Sequence, residues 1–329
     1  PAMLVYLDNA TSQAHAPNEN YAREVMELHT LGVAGGYNQQ DVHEVARALT
    51  GWSVAGERDA ARVSRDQIGQ FLFRPFMHDN DVKTILGMPF PAGGGESDGD
   101  KVIELFASHP STAKFIAKKL CVRFVSDTPP PSILDRAAAT YTQTDGDIKA
   151  ILKTILTSAE FAQSIGQKYK RPFDFIVASL RALNAEVTLD PNVNLKAATK
   201  NNPNQALQRN PIFLQLVQLG HVPYLWSTPD GFPDKAVSWL STSGTLGRWN
   251  FALSLVAGMR GVTIDDSSFT GISKSIEESV DRLSTLLIGT PMPANPRSIL
   301  IDYAQHAADQ TRLPGLAALI ISSPQFQIR

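Results

Sequence analysis

Apolar positions recur at helical spacing along most of this chain. From Asn18 to Leu31, Tyr21, Val25, Leu28 and Leu31 fall on one arc at 100° per residue, while Arg23, Glu27 and Thr30 point away. Asn18 or Asn20 suits the N-cap and Gly32 the stop. A second helix runs from Gln39 to Thr50, capped by Asn38 and ended by Gly51. Further helices are predicted at about 100–108, 110–124, 132–141, 146–162, 172–184, 211–219, 234–259 (broken near Gly244), 274–288, 295–309 and 313–321. The pattern loosens between them. Ile68 to Phe76 alternates and is rich in Phe, and Thr84 to Phe90 is a short apolar run, which together predict a small β-hairpin or irregular arm at about 66–92. Residues 190–210, rich in Asn, Pro and Lys, read as a long surface loop. The fold class expected is all-α, a multi-helix bundle-like array with that β-arm. It divides into a first helical lobe, 1–165, and a closely packed second lobe, 166–329, or forms one single domain.

The chain also carries an internal echo. Ser132-Ile133-Leu134 opens a helix, and Phe161 follows 29 residues after that serine; Ser298-Ile299-Leu300 opens another, and Phe326 follows 28 residues on. Duplication of a helical unit explains the match, as does chance likeness between two amphipathic hairpins. Two copies are too few for a solenoid.

Composition narrows the function classes. Thirty Lys and Arg against 32 Asp and Glu give a net charge of −2, without the broad basic footprint of a nucleic-acid binder. The longest apolar runs are a few residues, far short of the ~20 a membrane-spanning helix needs. One cysteine, Cys121, excludes an internal disulfide and cysteine-rich metal sites; flanked by Lys118, Lys119, Leu120 and Val122 in a predicted helix, it suits a structural thiol better than a nucleophile. The chain opens on Pro1 and runs at once into Ala2-Met3-Leu4-Val5-Tyr6-Leu7, the end of an apolar helix with no charged leader, so the expectation is the larger, C-terminal part of a longer chain.

No phosphate-binding loop, nucleophile elbow or paired-histidine zinc helix is present. Four residues remain as catalytic candidates. Glu24 projects into the apolar arc of its helix, where a carboxylate needs an Arg, His or metal partner, and His29 flanks the same arc. His78 beside Asp79 suits a metal site or an oriented general base; the plainer alternative is an Asx turn carrying a surface histidine. Asp98-Gly99-Asp100 and Asp145-Gly146-Asp147 lack the rest of a calcium loop and read as helix caps. Trp226, Trp239 and Trp249, close together in sequence with Arg248 and Asn250, either line a sugar or other ligand pocket or fill the core. The cofactor is unknown from these residues and no metal ligand set is assigned.

Several blocks together carry a resemblance: Asn18-Glu19-Asn20-Tyr21-Ala22-Arg23-Glu24 through Leu28-His29-Thr30-Leu31-Gly32, Ala48-Leu49-Thr50-Gly51-Trp52, His78-Asp79 with Lys83, His109-Pro110-Ser111-Thr112-Ala113, Lys170-Arg171-Pro172-Phe173, Pro229-Asp230-Gly231-Phe232-Pro233-Asp234, and Arg248-Trp249-Asn250. In that order they resemble the bacterial domain of unknown function 1800 family. The resemblance implies a mostly helical protein made for export, periplasmic or secreted, with a partner in the domain of unknown function 1501 family. It implies no established reaction. Family members usually carry a further N-terminal region with a tryptophan and paired histidines. Two readings follow: a binding or assembly protein of the cell envelope, and an exported metal-assisted enzyme using Glu24 with His29 or His78.

Overall fold

A computed structural model describes residues 1–188, 210–265 and 275–329; the loop expected at 190–210 falls almost wholly outside them. The described residues are mostly helical, with three two-stranded antiparallel ribbons as their only sheets. They form two compact units, one of residues 1–124 and 128–162, the other of 125–127 and 163–329. No helix among them is long and apolar enough to cross a membrane.

The first unit opens with α1 (Ala2–Tyr6), α2 (Glu19–Glu24) and α3 (Gln39–Ala48). Asn18 caps α2, its side chain accepting from the Asn20 amide. The helix does not run on regularly to Leu31 as the wheel predicts. Val25–His29 is a π turn, which widens the helix by one residue and rotates everything after it. Met26 is therefore fully buried, whereas Leu28, inside the predicted arc, is only half-buried. α3 carries a complete capping box: Asp41 N–H donates to Asn38 Oδ1 at 3.1 Å and Asn38 N–H to Asp41 Oδ2 at 2.9 Å.

Two separate hairpins replace the single arm expected at 66–92. β2 (Phe71–Phe73) pairs with β1 (Trp52–Val54), and β3 (Lys83–Ile85) with β4 (Met88–Phe90). Trp52-Ser53-Val54 is too short to announce itself as a strand, which is why the partner of the Phe-rich segment is invisible in the pattern. Leu86 and Gly87 both take positive φ in the tight β3–β4 turn. Leucine is costly there, and the free carboxylate oxygen of Asp41 accepts its amide at 2.8 Å, tying the turn to α3.

α4 (Glu96–Ala107), α5 (Pro110–Phe124), α6 (Pro131–Gln143), α7 (Ile148–Leu156) and the one-turn α8 (Ala159–Ala162) complete the unit. Asp147 caps α7. Asp98 caps nothing; it lies inside the first turn of α4, fully buried. Cys121 is fully buried on α5, and burial pushes its thiol up to about 11, so it remains protonated at neutral pH.

The second unit holds α9 (Pro172–Ala182), β5 (Ala185–Val187), α10 (Pro211–Gln218), α11 (Thr242–Val256), β6 (Val262–Ile264), α12 (Ile276–Ile288), α13 (Ala294–His306), α14 (Asp309–Ser322) and one-turn α15 (Pro324–Gln327). β5 and β6 form an unanticipated ribbon. The long helix expected at 234–259 begins instead at Thr242, because Ser241 caps it through the Gly244 amide at 3.0 Å. α11 packs on α14, and α12 and α13 close around α14. The core of this unit is Phe175, Phe251, Leu255, Leu283, Leu316, Ile320 and Phe326 with their neighbours.

The two echoed segments adopt one local pattern. Ser158 Oγ accepts from Phe161 N–H at 3.1 Å and donates to Ile155 O at 2.7 Å. Ser323 does the same with Phe326 (3.4 Å) and Ile320 (2.6 Å). Each serine thus ends one helix and starts a single further turn.

Gly99 on α4 lies against the Trp52 indole, where an added Cβ would overlap the ring. Alanine improves helix propensity by ~1 kcal/mol, but overpacking costs ~1–3 kcal/mol. Gly99→Ala is expected to lower unfolding stability, and urea denaturation reads it; an unchanged or raised midpoint would show that Trp52 is not packed there.

Candidate functional site

His78 and Asp79 lie in a buried network rather than at a surface turn. Asp79 does form the Asx turn, its Oδ1 accepting the Asp81 amide at 3.0 Å, but His78 is buried, not exposed. Nδ1 lies 2.8 Å from Thr50 O and must donate to it, since a carbonyl only accepts. Nε2 faces Asp98 Oδ2 at 3.5 Å without a hydrogen bond, and Asp98 Oδ1 is likewise unpartnered. Lys83 Nζ donates to Asp98 Oδ2 (2.9 Å) and to the carbonyls of Asp79 (2.6 Å) and Asp81 (2.9 Å). Arg47 grips Asp79 with two bonds, 2.8 and 3.1 Å, and reaches Glu44 at 2.7 Å. Burial works to raise the Asp79 pKa, but Arg47, the Asp81 amide and Lys83 hold it below the usual carboxylate range. A general base needs a substrate proton within reach. The side chains of His78 and Asp98 are fully inaccessible, so this arrangement locks α3, β3 and α4 together.

Glu24 precedes the π turn and His29 ends it, both half-buried. Burial, with the Lys119 ammonium adding to it, lowers the His29 pKa. Burial and Glu27 raise the Tyr37 pKa, Arg23 opposes them, and Glu24 adds to the rise. Among the described residues, no three His, Cys, Asp or Glu side chains are disposed to hold a metal ion. An open cleft of about 700 Å³ elsewhere in this unit is bordered by Val5, Phe76 and the paired Asp59 and Arg74. Two bonds from Arg74 and the Gly56 amide pull the Asp59 carboxyl down to about 2.

The second unit contains a pocket of about 410 Å³. Trp226, Trp239, Pro172 and Pro233 supply its apolar walls, Ser238 and Ser241 its hydroxyls, and Arg248 its charge. The Trp239 indole stacks on His221 at 4.8 Å, and Phe232 sits 4.3 Å from His221 and 4.7 Å from Trp226. The indole N–H groups are committed, Trp226 to Asp230 (2.9 Å) and Trp239 to Pro233 O (2.9 Å), which fixes both rings. His221 follows a helix-ending Gly220, and the contacts that mark it, with Phe173, Phe232 and Trp239, come from elsewhere in the chain. Its Nδ1 accepts the Phe173 amide at 3.3 Å.

Below the pocket, Arg248 is 1% exposed. Its guanidinium lies over Tyr169 (4.5 Å) and Phe175 (4.9 Å), donating to Gln327 Oε1 (2.8 Å) and Lys170 O (2.7 Å). Burial lowers its pKa to about 10. A buried clamp holds the pocket's rim: Lys168 Nζ meets Asp127 Oδ1 (2.5 Å) and Asp234 O (2.6 Å), while Asp127 Oδ2 accepts the Ala236 amide (2.6 Å). Trp249 and Asn250 stand apart. Trp249 is 46% exposed on α11, its N–H on Ser322 O at 3.1 Å, and Asn250 is exposed; neither lines the pocket.

The family model described as "Protein of unknown function (DUF1800)" matches residues 1–328. The chain belongs to the DUF1800 family. No curated protein and no solved structure matches it. Membership agrees with the helical fold and brings no reaction with it, so the chemistry has to be read from these residues.

Two outcomes test the buried networks. Lys83→Met leaves Asp98 charged and unpaired, at a cost of ~3–5 kcal/mol, and adding Asp98→Leu should recover most of it; equal stability of the single variant and the native chain in urea would contradict the network. For Asp59, the unfolded value is near 3.8 and the folded value about 2. Its contribution is present above pH ~4 and lost as pH falls toward about 2. Acid denaturation should therefore show Asp59→Asn losing stability at neutral pH and converging on the native chain below pH ~2; a constant gap at all pH values would contradict the pair.

Proposed function

We propose that this chain is an exported binding or assembly protein of the cell envelope, and that the aromatic pocket of its second unit receives a saccharide. The pocket carries the proposal: two fixed indole faces, two serine hydroxyls and a guanidinium converge on one cavity of about 410 Å³. Flat aromatic faces match the apolar faces of sugar rings, and hydroxyls at the rim match their edges. Export, a periplasmic or secreted location and a partner of the DUF1501 family follow from what is expected of the family. An exposed apolar stripe on α11, Leu246, Trp249 and Leu253, gives such a partner a surface to meet.

The competing reading is a metal-assisted enzyme using Glu24 with His29 or His78. It draws less support, because a lysine ammonium already occupies the anionic side of His78 and its ring is closed off.

Titration calorimetry with oligosaccharides derived from envelope polysaccharides tests the pocket. Trp239→Ala is expected to weaken binding at least ~10-fold, about 1.4 kcal/mol, while Trp249→Phe leaves it unchanged. Binding that survives Trp239→Ala, or is lost in Trp249→Phe, would place the site elsewhere.

A further inference from the structure

We propose that the saccharide received by this pocket is acidic, carrying a carboxylate that is held by Arg248 of α11. This rests on the pocket reading and adds the chemical class of its ligand.

Three features of the site converge on an anion. The first is an unspent donor. Arg248 lines the pocket, is almost wholly buried, and has Nε–H with no hydrogen-bond partner. Of its five N–H donors, two are engaged, and both go to neutral acceptors, Gln327 Oε1 and Lys170 O. A guanidinium removed from water normally faces a carboxylate, because the uncompensated charge costs several kcal/mol. Here stacking on Tyr169 and Phe175 and the field of the Asp174 carboxylate offset part of that cost, but no carboxylate hydrogen-bonds the guanidinium among the described residues, and Nε–H is left for a ligand.

The second is a helix end. Ser241 and Gly244, from the cap and first turn of the 15-residue α11, line the same pocket, so the positive end of that helix borders the cavity. Arg248 is on the same helix, just beyond its first turn. Dipole and guanidinium therefore act in the same direction.

The third is a surplus of positive charge behind the pocket. Lys170 sits over the Phe326 ring at 4.0 Å with its ammonium on Phe326 O at 2.5 Å. Burial, then Arg329 and Arg248, lower its pKa to about 8. The nearby carboxylates are Asp174, shared by Arg171 at 3.0 Å and Arg329 at 4.0 Å, and Asp234, 3.7 Å from Arg171, fewer than the cations around them. A ligand anion would relieve this like-charge crowding, whereas a neutral sugar would not. A carboxylate on a sugar ring matches the site as a whole, since the ring occupies the indole faces while the acid reaches the arginine.

The test compares three probes on the full chain by calorimetry: a trigalacturonate, its methyl ester, and the neutral galactose trisaccharide. The acid should bind at least ~10-fold tighter than the ester, with the gap narrowing between 0.05 and 0.3 M salt, since added salt screens charge. In Arg248→Gln, checked for folding by circular dichroism, the preference should disappear. Acid and ester binding equally well would overturn the acidic-ligand inference and leave the saccharide pocket standing. No binding by any of the three would overturn both. A preference for acid that persists in folded Arg248→Gln would remove Arg248 from the role; if that variant does not fold, the acid-to-ester ratio on the native chain decides.

Discussion

A buried charge must find its counterpart, and in this chain that requirement sets the geometry of both units. In the second unit, the guanidinium of Arg248 collects the structure around itself. Tyr169 and Phe175 lie against it, Lys170 O draws in the segment before α9, and Gln327 brings the C-terminal turn to α11. The pocket stands above this assembly, with its opposite rim fixed by Lys168 and Asp127. In the first unit, Lys83 and Asp98 do the equivalent work with no access to solvent. The contrast separates the two as functional candidates. Lys83 hydrogen-bonds a carboxylate away from any cavity, whereas Arg248 hydrogen-bonds only neutral acceptors and keeps Nε–H in reserve beside one.

How far the sequence was legible follows the range of the interactions. Helices were legible because capping and amphipathic spacing are local: Asn18, Asn38 and Asp147 cap where their types predict. The π turn at Val25–His29 was not, because one extra residue in a turn leaves no mark on composition, though it moves Met26 into the core and leaves Leu28 at its edge. The hairpins were misread for a related reason, since Trp52–Val54 is a strand only through its pairing with Phe71–Phe73. At the site, Trp226, Trp239 and Arg248 share one pocket, while Trp249 and Asn250, next in sequence to Arg248, turn outward on the same helix. Adjacency along a helix separates side chains by 100°, so it groups residues that the fold then parts. His221 and Lys170 were overlooked as site residues because their partners are far away in the chain.

The echoed segments show how little is needed to specify a local form. Ser158 and Ser323 each close one helix and open a single turn that ends on an aromatic residue. In the second copy Phe326 forms the floor beneath the Lys170 ammonium. In the first, Glu160 pairs with Arg136 and pins α6 to α8. The same backbone device thus serves a structural pair in one unit and the underside of the proposed binding site in the other.

The four tryptophans offer the most direct measurement of whether the pocket is a binding site. Each indole N–H has its own acceptor: Glu96 O for Trp52, Asp230 for Trp226, Pro233 O for Trp239 and Ser322 O for Trp249. In a proton–nitrogen correlation spectrum of the ¹⁵N-labelled protein these four side-chain signals can be followed together as an acidic oligosaccharide is added. The signals of Trp226 and Trp239 are expected to move and saturate together, with those of Trp52 and Trp249 stationary. Movement of Trp52 or Trp249 with the pocket pair fixed, or four unmoved signals at saturating oligosaccharide, would contradict a binding site in the second unit.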